Sequence, residues 1–183
     1  AMVVAEKGGL TPDEITSVRV ETYSLAAQLQ DRSPTNTLAG KFSVPFAVAT
    51  TLINGSSGVM SFTLDQVRRA EIQAFADRVE VVEDPALTAM MPDYRPARVI
   101  VTLTDGTVLT AETKTNRGDT EDPYDDTDLD EKYVELTARV WTAETARAVY
   151  DVCFAIDRTA DVLTLTKPMD VAPLATPLAQ AGE

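Results

Sequence analysis

Lys41 is a cation placed directly before an apolar helix. Residues 43–53 predict that helix, because Ser43 is a preferred N-cap, Pro45 suits a first turn and apolar residues recur at helical spacing from Phe46 onward. A cation gains nothing from the positive end of a helix dipole. Lys41 and the helix N-terminus do share the ability to bind an anion such as a carboxylate. A solvated lysine before an ordinary core helix is the alternative interpretation.

Arg117 and Gly118 form a second candidate anion site. A guanidinium group binds a carboxylate through two parallel hydrogen bonds, and a glycine allows the backbone to approach a ligand closely. A di- or tricarboxylate needs fixed positive partners, and the cations that stand out in this acidic chain are Lys41, Arg95, Arg98, Lys114 and Arg117. A surface ion pair with one of the many carboxylates is the alternative for each of them.

The chain contains no histidine. This excludes, within the chain, Ser-His-Asp and Cys-His triads, zinc sites built on histidine, and a general base whose unperturbed pKa lies near neutrality. Acid–base chemistry here would need a perturbed Lys, Asp, Glu or Tyr. We therefore expect no self-sufficient catalytic residue in this chain.

The net charge is strongly negative. The chain has 29 acidic and 16 basic residues, a formal charge of -13, which opposes binding to nucleic-acid phosphates and anionic lipid surfaces. No segment approaches the ~20 apolar residues of a membrane span. We predict neither nucleic acid nor a membrane as a partner. The single cysteine, Cys153, cannot form an intrachain disulfide, which favours the cytoplasm. We expect it to pack in the core with Val149, Val152 and Ile156.

An acidic run from Asp119 to Glu131 resembles a calcium loop only in part. Asp126, Asp128 and Asp130 occupy the first, third and fifth positions of such a loop. The sixth position, however, is Glu131 instead of Gly, and the twelfth is Thr137 instead of Glu. We therefore predict no metal site, and we interpret the run as a solvated loop leading into a helix whose first turn favours negative charge.

Strand and helix patterns alternate in a mixed order along the first two thirds of the chain. Residues 15–23 and 79–83 predict strands, and residues 24–37 predict a polar loop. The helix from Val44 to Ile53 ends at Asn54-Gly55, a suitable left-handed stop. Thr63 with Gln66 predicts a capping box for a helix that continues to about Arg78.

A hairpin and two further helices follow. Strands at 98–104 and 107–113 flank Asp105-Gly106, a pair that favours a type I′ turn. Thr127 and Thr142 predict the N-caps of the two helices. The apolar faces predicted for these helices are Leu129, Tyr133, Leu136 and Val140 in the first, and Ala146, Val149, Cys153 and Ile156 in the second. We predict an α+β fold: an antiparallel sheet of about four strands with helices packed on one side, plus C-terminal helices.

The segment Lys41-Phe42-Ser43-Val44-Pro45-Phe46-Ala47-Val48-Ala49 resembles the "KFS-L/V-PY-A-A" signature of the MmgE/PrpD family. The similarity continues in order through Arg95-Pro96-Ala97-Arg98-Val99, Leu103-Thr104-Asp105-Gly106-Thr107, Arg117-Gly118-Asp119 and Leu129-Asp130-Glu131-Lys132-Tyr133, and covers roughly residues 10–160. Order and spacing carry the resemblance more than any single motif. The family includes 2-methylcitrate dehydratases, cis-aconitate decarboxylases and iminodisuccinate epimerases.

The resemblance implies a C-terminal lid from a longer, cofactor-free lyase or isomerase that acts on a small di- or tricarboxylate. The catalytic histidines would belong to a preceding helical domain, so this part would be inactive alone, and the full-length protein would be a homodimer. The expected divisions are residues 1–14 as the remnant of a preceding helix, 15–126 as the lid, 127–166 as helices that pack on the helical domain, and 167–183 as a loose tail.

The substrate-binding candidates are Lys41, Ser43, Phe46, Arg117 and Gly118. The resemblance implies that the stretch from Lys41 to Phe46 is the part of this domain closest to the active site. The family commonly has Tyr at the position of Phe46, so this chain lacks a hydroxyl that would serve as a proton donor or a substrate hydrogen bond. A non-catalytic binding or oligomerisation domain derived from the family is the alternative function, consistent with the missing histidine and with Phe46.

Overall fold

The computed structural model describes residues 8–170, except for the side chain of Leu165. The chain divides into two compact units between Pro123 and Tyr124. Residues 1–7 of the expected helix remnant and residues 171–183 of the expected tail lie outside the described residues.

The first unit contains a four-stranded mixed sheet. The strands are β1 (Ile15–Thr22), β2 (Val79–Glu83), β3 (Ala97–Leu103) and β4 (Val108–Thr113), in the spatial order β2-β1-β3-β4. β3 is antiparallel to β1 and β4, whereas β1 and β2 are parallel. The α+β class is confirmed, but the sheet is not purely antiparallel. Alternation in β1 predicts a strand without identifying its neighbour, and parallel pairing needs the long crossover that the helices between β1 and β2 provide.

The α-helices of the first unit lie between β1 and β2 and between β2 and β3 in the sequence. They are α1 (Thr37–Lys41), α2 (Val44–Asn54), α3 (Leu64–Val67), α4 (Ala70–Ala76) and α5 (Pro85–Thr88). The predicted ends of α2 are confirmed. The Ser43 hydroxyl accepts a hydrogen bond from the Phe46 amide, and Gly55 ends the helix with a left-handed φ of 70°.

The core of the first unit lies between one face of the sheet and the helices α2 and α4. Its buried members include Ile15, Val18, Val79, Val101, Phe46, Ala49, Ile72 and Phe75. Phe46 has no exposed surface and lies 6.0 Å from the ring centre of Phe62. A Cβ atom on Gly40 would lie 3.0 Å from Val67 Cγ2 and 3.4 Å from Phe46 Cε1. Gly40 is therefore the residue that lets α1 approach α2 and α3 so closely.

The helix predicted from Thr63 to Arg78 is two helices, α3 and α4. Thr63 precedes α3, but its side chain makes no capping bond. The Gln66 side-chain oxygen instead accepts a hydrogen bond from Asn54 at 3.0 Å, and Arg69 is extended between the two helices, with ψ at 112°. The predicted capping box is wrong, because a tertiary contact takes the group that the box needs.

The predicted hairpin is confirmed, but its turn is not type I′. Gly106 has φ 85°, whereas no residue other than glycine has positive φ within the described residues. Gly106 N donates to Leu103 O at 3.1 Å, and Leu103 N donates to Thr107 O at 2.8 Å. This is the pattern of a three-residue loop that ends in a glycine bulge. Asp105 accepts a bond from Thr107 N at 2.9 Å, which a negative φ allows.

The second unit is built on α6 (Asp126–Thr137) and α7 (Ala143–Phe154), followed by α8 (Leu163–Thr166). Thr142 caps α7 as predicted, through a 3.2 Å bond from the Thr145 amide. Asp125, not Thr127, caps α6. Asp125 and Asp128 each accept a bond from the other's backbone amide, at 2.9 and 3.0 Å. The carboxylate is both a strong cap and favourable at the positive helix end, so it is preferred over the threonine.

The predicted apolar faces of α6 and α7 are only partly buried. Ala146 and Val149 are buried, whereas Leu129, Leu136, Val140, Cys153 and Ile156 are exposed. The prediction that Cys153 lies in the core is wrong. Helical spacing identifies an apolar face, but it does not show whether another element covers that face.

An ion-pair ladder crosses the outer face of the sheet. Arg19 on β1 contacts Glu80 on β2 at 2.7 Å and Glu21 at 3.1 Å. Arg98 on β3 contacts Glu21 at 2.7 Å and also pairs with Glu112 on β4. The hydrogen bonds from Arg98 and then from Arg19 hold the pKa of the Glu21 carboxyl below its usual range. The ladder therefore links all four strands through a carboxylate that stays ionised.

We predict that Glu21 makes the fold sensitive to acid. The unfolded chain binds a proton at Glu21 near pH 4.3, about the reference pKa, while the folded chain does so at lower pH. The stabilisation is thus present above the unfolded pKa and is lost as the pH falls through the folded pKa. The melting temperature of Glu21→Gln should fall less than that of the parent chain between neutral pH and pH about 3. Glu131→Gln, an exposed change on α6, is the control, and a parent-like acid slope in Glu21→Gln would contradict the prediction.

Position 46 should not tolerate a hydroxyl. Phe46 is wholly buried, so Phe46→Tyr places a polar group in the core and should lower the free energy of unfolding by about 1–3 kcal/mol. Phe42→Tyr is the matched control, since Phe42 is 61% exposed and should change stability little. Urea denaturation of the three proteins measures the difference. Equal stability of Phe46→Tyr and the parent chain would mean that the hydroxyl finds both space and a partner.

Candidate functional site

The α1–α2 corner, residues 36–46, holds three of the candidate residues. Asn36 caps α1 by accepting a hydrogen bond from the Ala39 amide at 2.9 Å, and Gly40 seats α1 on Phe46 and Val67. The Phe42 amide closes α1 on the carbonyls of Leu38 and Ala39, both at 3.1 Å. The corner is therefore held by backbone, capping and core contacts at once.

Ser43 has both of its hydrogen-bonding roles filled by the protein. Its hydroxyl accepts from the Phe46 amide at 2.9 Å and donates to the carbonyl of Asp31 in the preceding loop. Only 1% of the residue is exposed. In this structure Ser43 ties the corner to the loop.

The N-terminus of α2 offers no free amide among its first residues. Val44 N donates to Leu29 O at 2.9 Å, Pro45 has no N–H, and Phe46 N donates to the Ser43 hydroxyl. The next amide, at Ala47, donates to Ser43 O at 3.0 Å. The expectation that the helix end itself is open to an anion is wrong, because the cap and the loop use its donors.

Lys41 ends α1 and is exposed. No carboxylate pairs with it within the part of the chain that the structure describes. Two residues near it are apolar and also exposed: Leu38 on α1 is 66% exposed, and Phe42, the C-cap that follows the helix, is 61% exposed. The Phe42 amide donates to the Leu38 carbonyl, so the two residues are one helical turn apart. The corner thus combines an exposed lysine with two exposed apolar residues.

Phe46, three residues after Ser43, is placed in the core. Its aromatic ring has no exposed surface, and it packs between Gly40 and Phe62. Its assignment as a substrate contact stays a prediction.

Arg117 and Gly118 lie in the loop that follows the edge strand β4. The guanidinium of Arg117 donates to Asp122 at 2.6 Å and to Pro123 O at 3.0 Å. Gly118 has the positive φ that only glycine adopts easily, 95°, and its amide donates to Asp122 O at 2.7 Å. The loop is therefore folded around Asp122, one of its own residues. The substrate-binding role of both residues stays a prediction.

The structure separates the candidate cations by their surroundings. Arg98 is part of the ion-pair ladder and Arg117 pairs with Asp122, whereas Lys41 is exposed beside apolar residues. Arg95 and Lys114, which lie just before β3 and just after β4, are exposed as well, and Arg95 N donates to Lys114 O at 3.1 Å. Exposure alone therefore does not single out Lys41. What distinguishes Lys41 is its place in the α1–α2 corner, whose backbone is held by capping and core contacts.

Sequence reasoning missed α1 and the exposed pair formed by Leu38 and Phe42. The signal was present, since Asn36 is a preferred N-cap and the two apolar residues are at helical spacing. A five-residue helix is too short for periodicity to identify it.

Two further properties of the described residues bear on the kind of site. Within the described residues, no group of three or more His, Cys, Asp or Glu side chains is arranged to hold a metal ion. Among the same residues, none of the helices combines the length and the apolar character that crossing a bilayer requires.

The chain matches the model of a known protein family. The model of the MmgE/PrpD C-terminal domain matches residues 1–156, which include both the α1–α2 corner and the Arg117 loop. Among curated proteins, no match is found. The family match covers most of the chain, and it agrees with the signature that surrounds Lys41. The chain belongs to the MmgE/PrpD family, as its C-terminal domain.

Proposed function

We propose that this domain is the lid of a cofactor-free lyase or isomerase that acts on a small di- or tricarboxylate. In this proposal Lys41 binds a substrate carboxylate, and a preceding helical domain supplies the residues that move the proton. The observation that carries the proposal is the state of Lys41: it is an exposed cation without an ion pair among the described residues, held at a corner with a fixed backbone.

The chemistry of the family gives Lys41 a specific task. Dehydration, decarboxylation and epimerisation of such acids all involve a proton that leaves or joins a carbon next to a carboxylate. Negative charge then develops on the carboxylate oxygens. A fixed ammonium group stabilises this charge more than it stabilises the ground state, which is the requirement for catalysis.

The surface around Lys41 supports a cleft with a second wall. Leu38 and Phe42, which precede and follow Lys41 in the corner, are more than half exposed. A wall that covers them would remove water from the Lys41 region and so strengthen a charge-assisted bond. The helical domain implied by the family is the wall that we propose, and homodimerisation and a cytoplasmic location belong to the same proposal.

Lys41→Ala in the protein that includes the helical domain tests this role. We predict a loss of kcat/KM of about ten- to a hundredfold, equivalent to about 1.5–3 kcal/mol for a charge-assisted hydrogen bond, with little change in melting temperature. Lys41 is exposed and outside the core, so the fold does not depend on it. Lys167→Ala in the second unit is the matched control. If both variants keep the parent kinetics, Lys41 is an ordinary solvated lysine.

This chain alone should be catalytically inactive. It contains no histidine, the side chain whose unperturbed pKa lies near neutrality, and the proposal assigns proton transfer to the helical domain. We expect no turnover of 2-methylcitrate, cis-aconitate or iminodisuccinate by the purified chain, measured by product formation over hours. Robust turnover would show that the chain contains its own acid–base residues, and the division of labour proposed here would be wrong.

A second candidate function is a non-catalytic binding or oligomerisation domain. The exposed apolar side chains of the second unit favour it, because such surfaces mark interaction sites. The protein sequence encoded immediately upstream of this domain distinguishes between the two functions. A contiguous helical domain with histidines supports the enzyme, and an unrelated upstream domain supports the binding function.

A further inference from the structure

A groove of about 460 Å³ lies within the second unit, between α6 and α7. Its walls include Tyr133 and Val134 of α6, Ala146 and Tyr150 of α7, and Trp141 between the two helices. Val134 is 61% exposed. The groove thus lies open along the two helices, and three aromatic residues, Tyr133, Trp141 and Tyr150, line it.

The polar groups of the groove are bonded within the unit. The Tyr133 hydroxyl donates to Ala146 O at 2.7 Å, and the Tyr150 hydroxyl donates to Asp130 at 2.5 Å. Arg147 pairs with Asp151 at 2.8 Å and lies 5.0 Å from the centre of the Tyr150 ring. These partners leave the remaining groove surface to apolar contact, so its ligand should present apolar side chains.

Further apolar side chains are exposed on the same unit without lining the groove. They are Leu129, Leu136 and Val140 on or just after α6, Phe154 at the end of α7, and Ile156, Val162 and Leu163 beyond it. Exposed apolar surface often marks an interaction site, and the groove supplies a concave site that can receive a partner's side chains.

The charge of α6 restricts the partner. This helix carries Asp126, Asp128, Asp130, Glu131 and Glu135, and its one basic residue is Lys132. A second copy of this acidic surface would bring like charges together, which opposes association. A partner with basic residues beside its apolar face would instead gain from the same charges.

We infer that the groove between α6 and α7 binds an amphipathic helix whose apolar face is flanked by lysine or arginine. Helices of this type place apolar residues at positions i, i+3, i+4 and i+7 into such grooves. The inference rests on the binding role that the exposed apolar side chains of the second unit favour, and it does not depend on the polycarboxylate site at Lys41. It adds the chemistry of the partner, which must be basic as well as helical.

The fluorescence of Trp141 gives a direct test in the full chain, because it is the single tryptophan and it lines the groove. The probe is a synthetic helical peptide of about five turns with leucine on one face and lysine elsewhere. The matched probe has glutamate in place of each lysine. We expect saturable binding of the lysine peptide with a blue shift of the emission, and at least about tenfold weaker binding of the glutamate peptide.

Two valine variants separate groove binding from general attraction to an acidic protein. Val134→Asn removes an apolar wall of the groove and should weaken binding about tenfold. Val162→Asn changes the same residue type at a similar exposure, 65%, outside the groove, and should leave binding unchanged. Valine and asparagine have similar helix propensities, so neither change should unfold the unit.

Five outcomes would overturn the inference. Three concern the probes and variants: no binding of the lysine peptide, equal binding of both peptides, and equal weakening by both valine variants. The fourth is a Trp141 shift that grows with protein concentration alone, which would identify a second copy as the occupant. The fifth is binding that appears only after residues 171–183 are removed, which would identify that segment as the occupant. Lys41→Ala should bind the peptide as the parent chain does. Peptide binding therefore tests the groove alone, and the kinetics of Lys41→Ala test the carboxylate site alone.

Discussion

The packing of Phe46 beneath Gly40 and against the sheet is the contact on which the first unit depends. It joins α1, α2 and the core at one point, and it favours glycine at position 40, because a Cβ atom there would lie 3.0 Å from Val67 Cγ2 and 3.4 Å from Phe46 Cε1, so these neighbours would have to shift. Ser43 adds the cap of α2 and the tie to the loop at Asp31. The backbone on both sides of Lys41 is thereby fixed, while the lysine side chain is left in solvent.

This arrangement gives the residues of the signature around Lys41 different surroundings. Ser43 and Phe46 are buried in the corner, whereas Lys41 is exposed. A cation on a fixed backbone loses less freedom when it binds a carboxylate than one on a mobile loop. In the proposed function, the corner therefore preorganises Lys41, and the exposed neighbour Phe42 leaves a surface for a second wall. The second unit has a different character, since its helices expose apolar surface around a groove.

Local rules predicted much of the fold, and tertiary contacts account for the rest. The cap of Ser43 and the stop at Gly55 depend on adjacent residues, so their positions followed from the sequence. The parallel pairing of β1 with β2 depends on residues about sixty positions apart, and the loss of the Thr63 capping box follows from a contact between Asn54 and Gln66. At the candidate site, the sequence indicated Lys41 but not its apolar surroundings. The sequence pattern also could not show that Arg117 binds Asp122 and Pro123 of its own loop.

The central claim is that the α1–α2 corner is locked to the core, and amide hydrogen exchange tests it directly on this chain. The decisive amides are those of Phe46 and Ala47, which bond to Ser43, compared with that of Val18 in the central sheet, which bonds to Arg78. The account predicts that all three exchange only through global unfolding and so show the same opening free energy. Exchange of Phe46 and Ala47 through a local opening of much lower free energy, while Val18 stays protected, would show that the corner moves independently and would contradict the account.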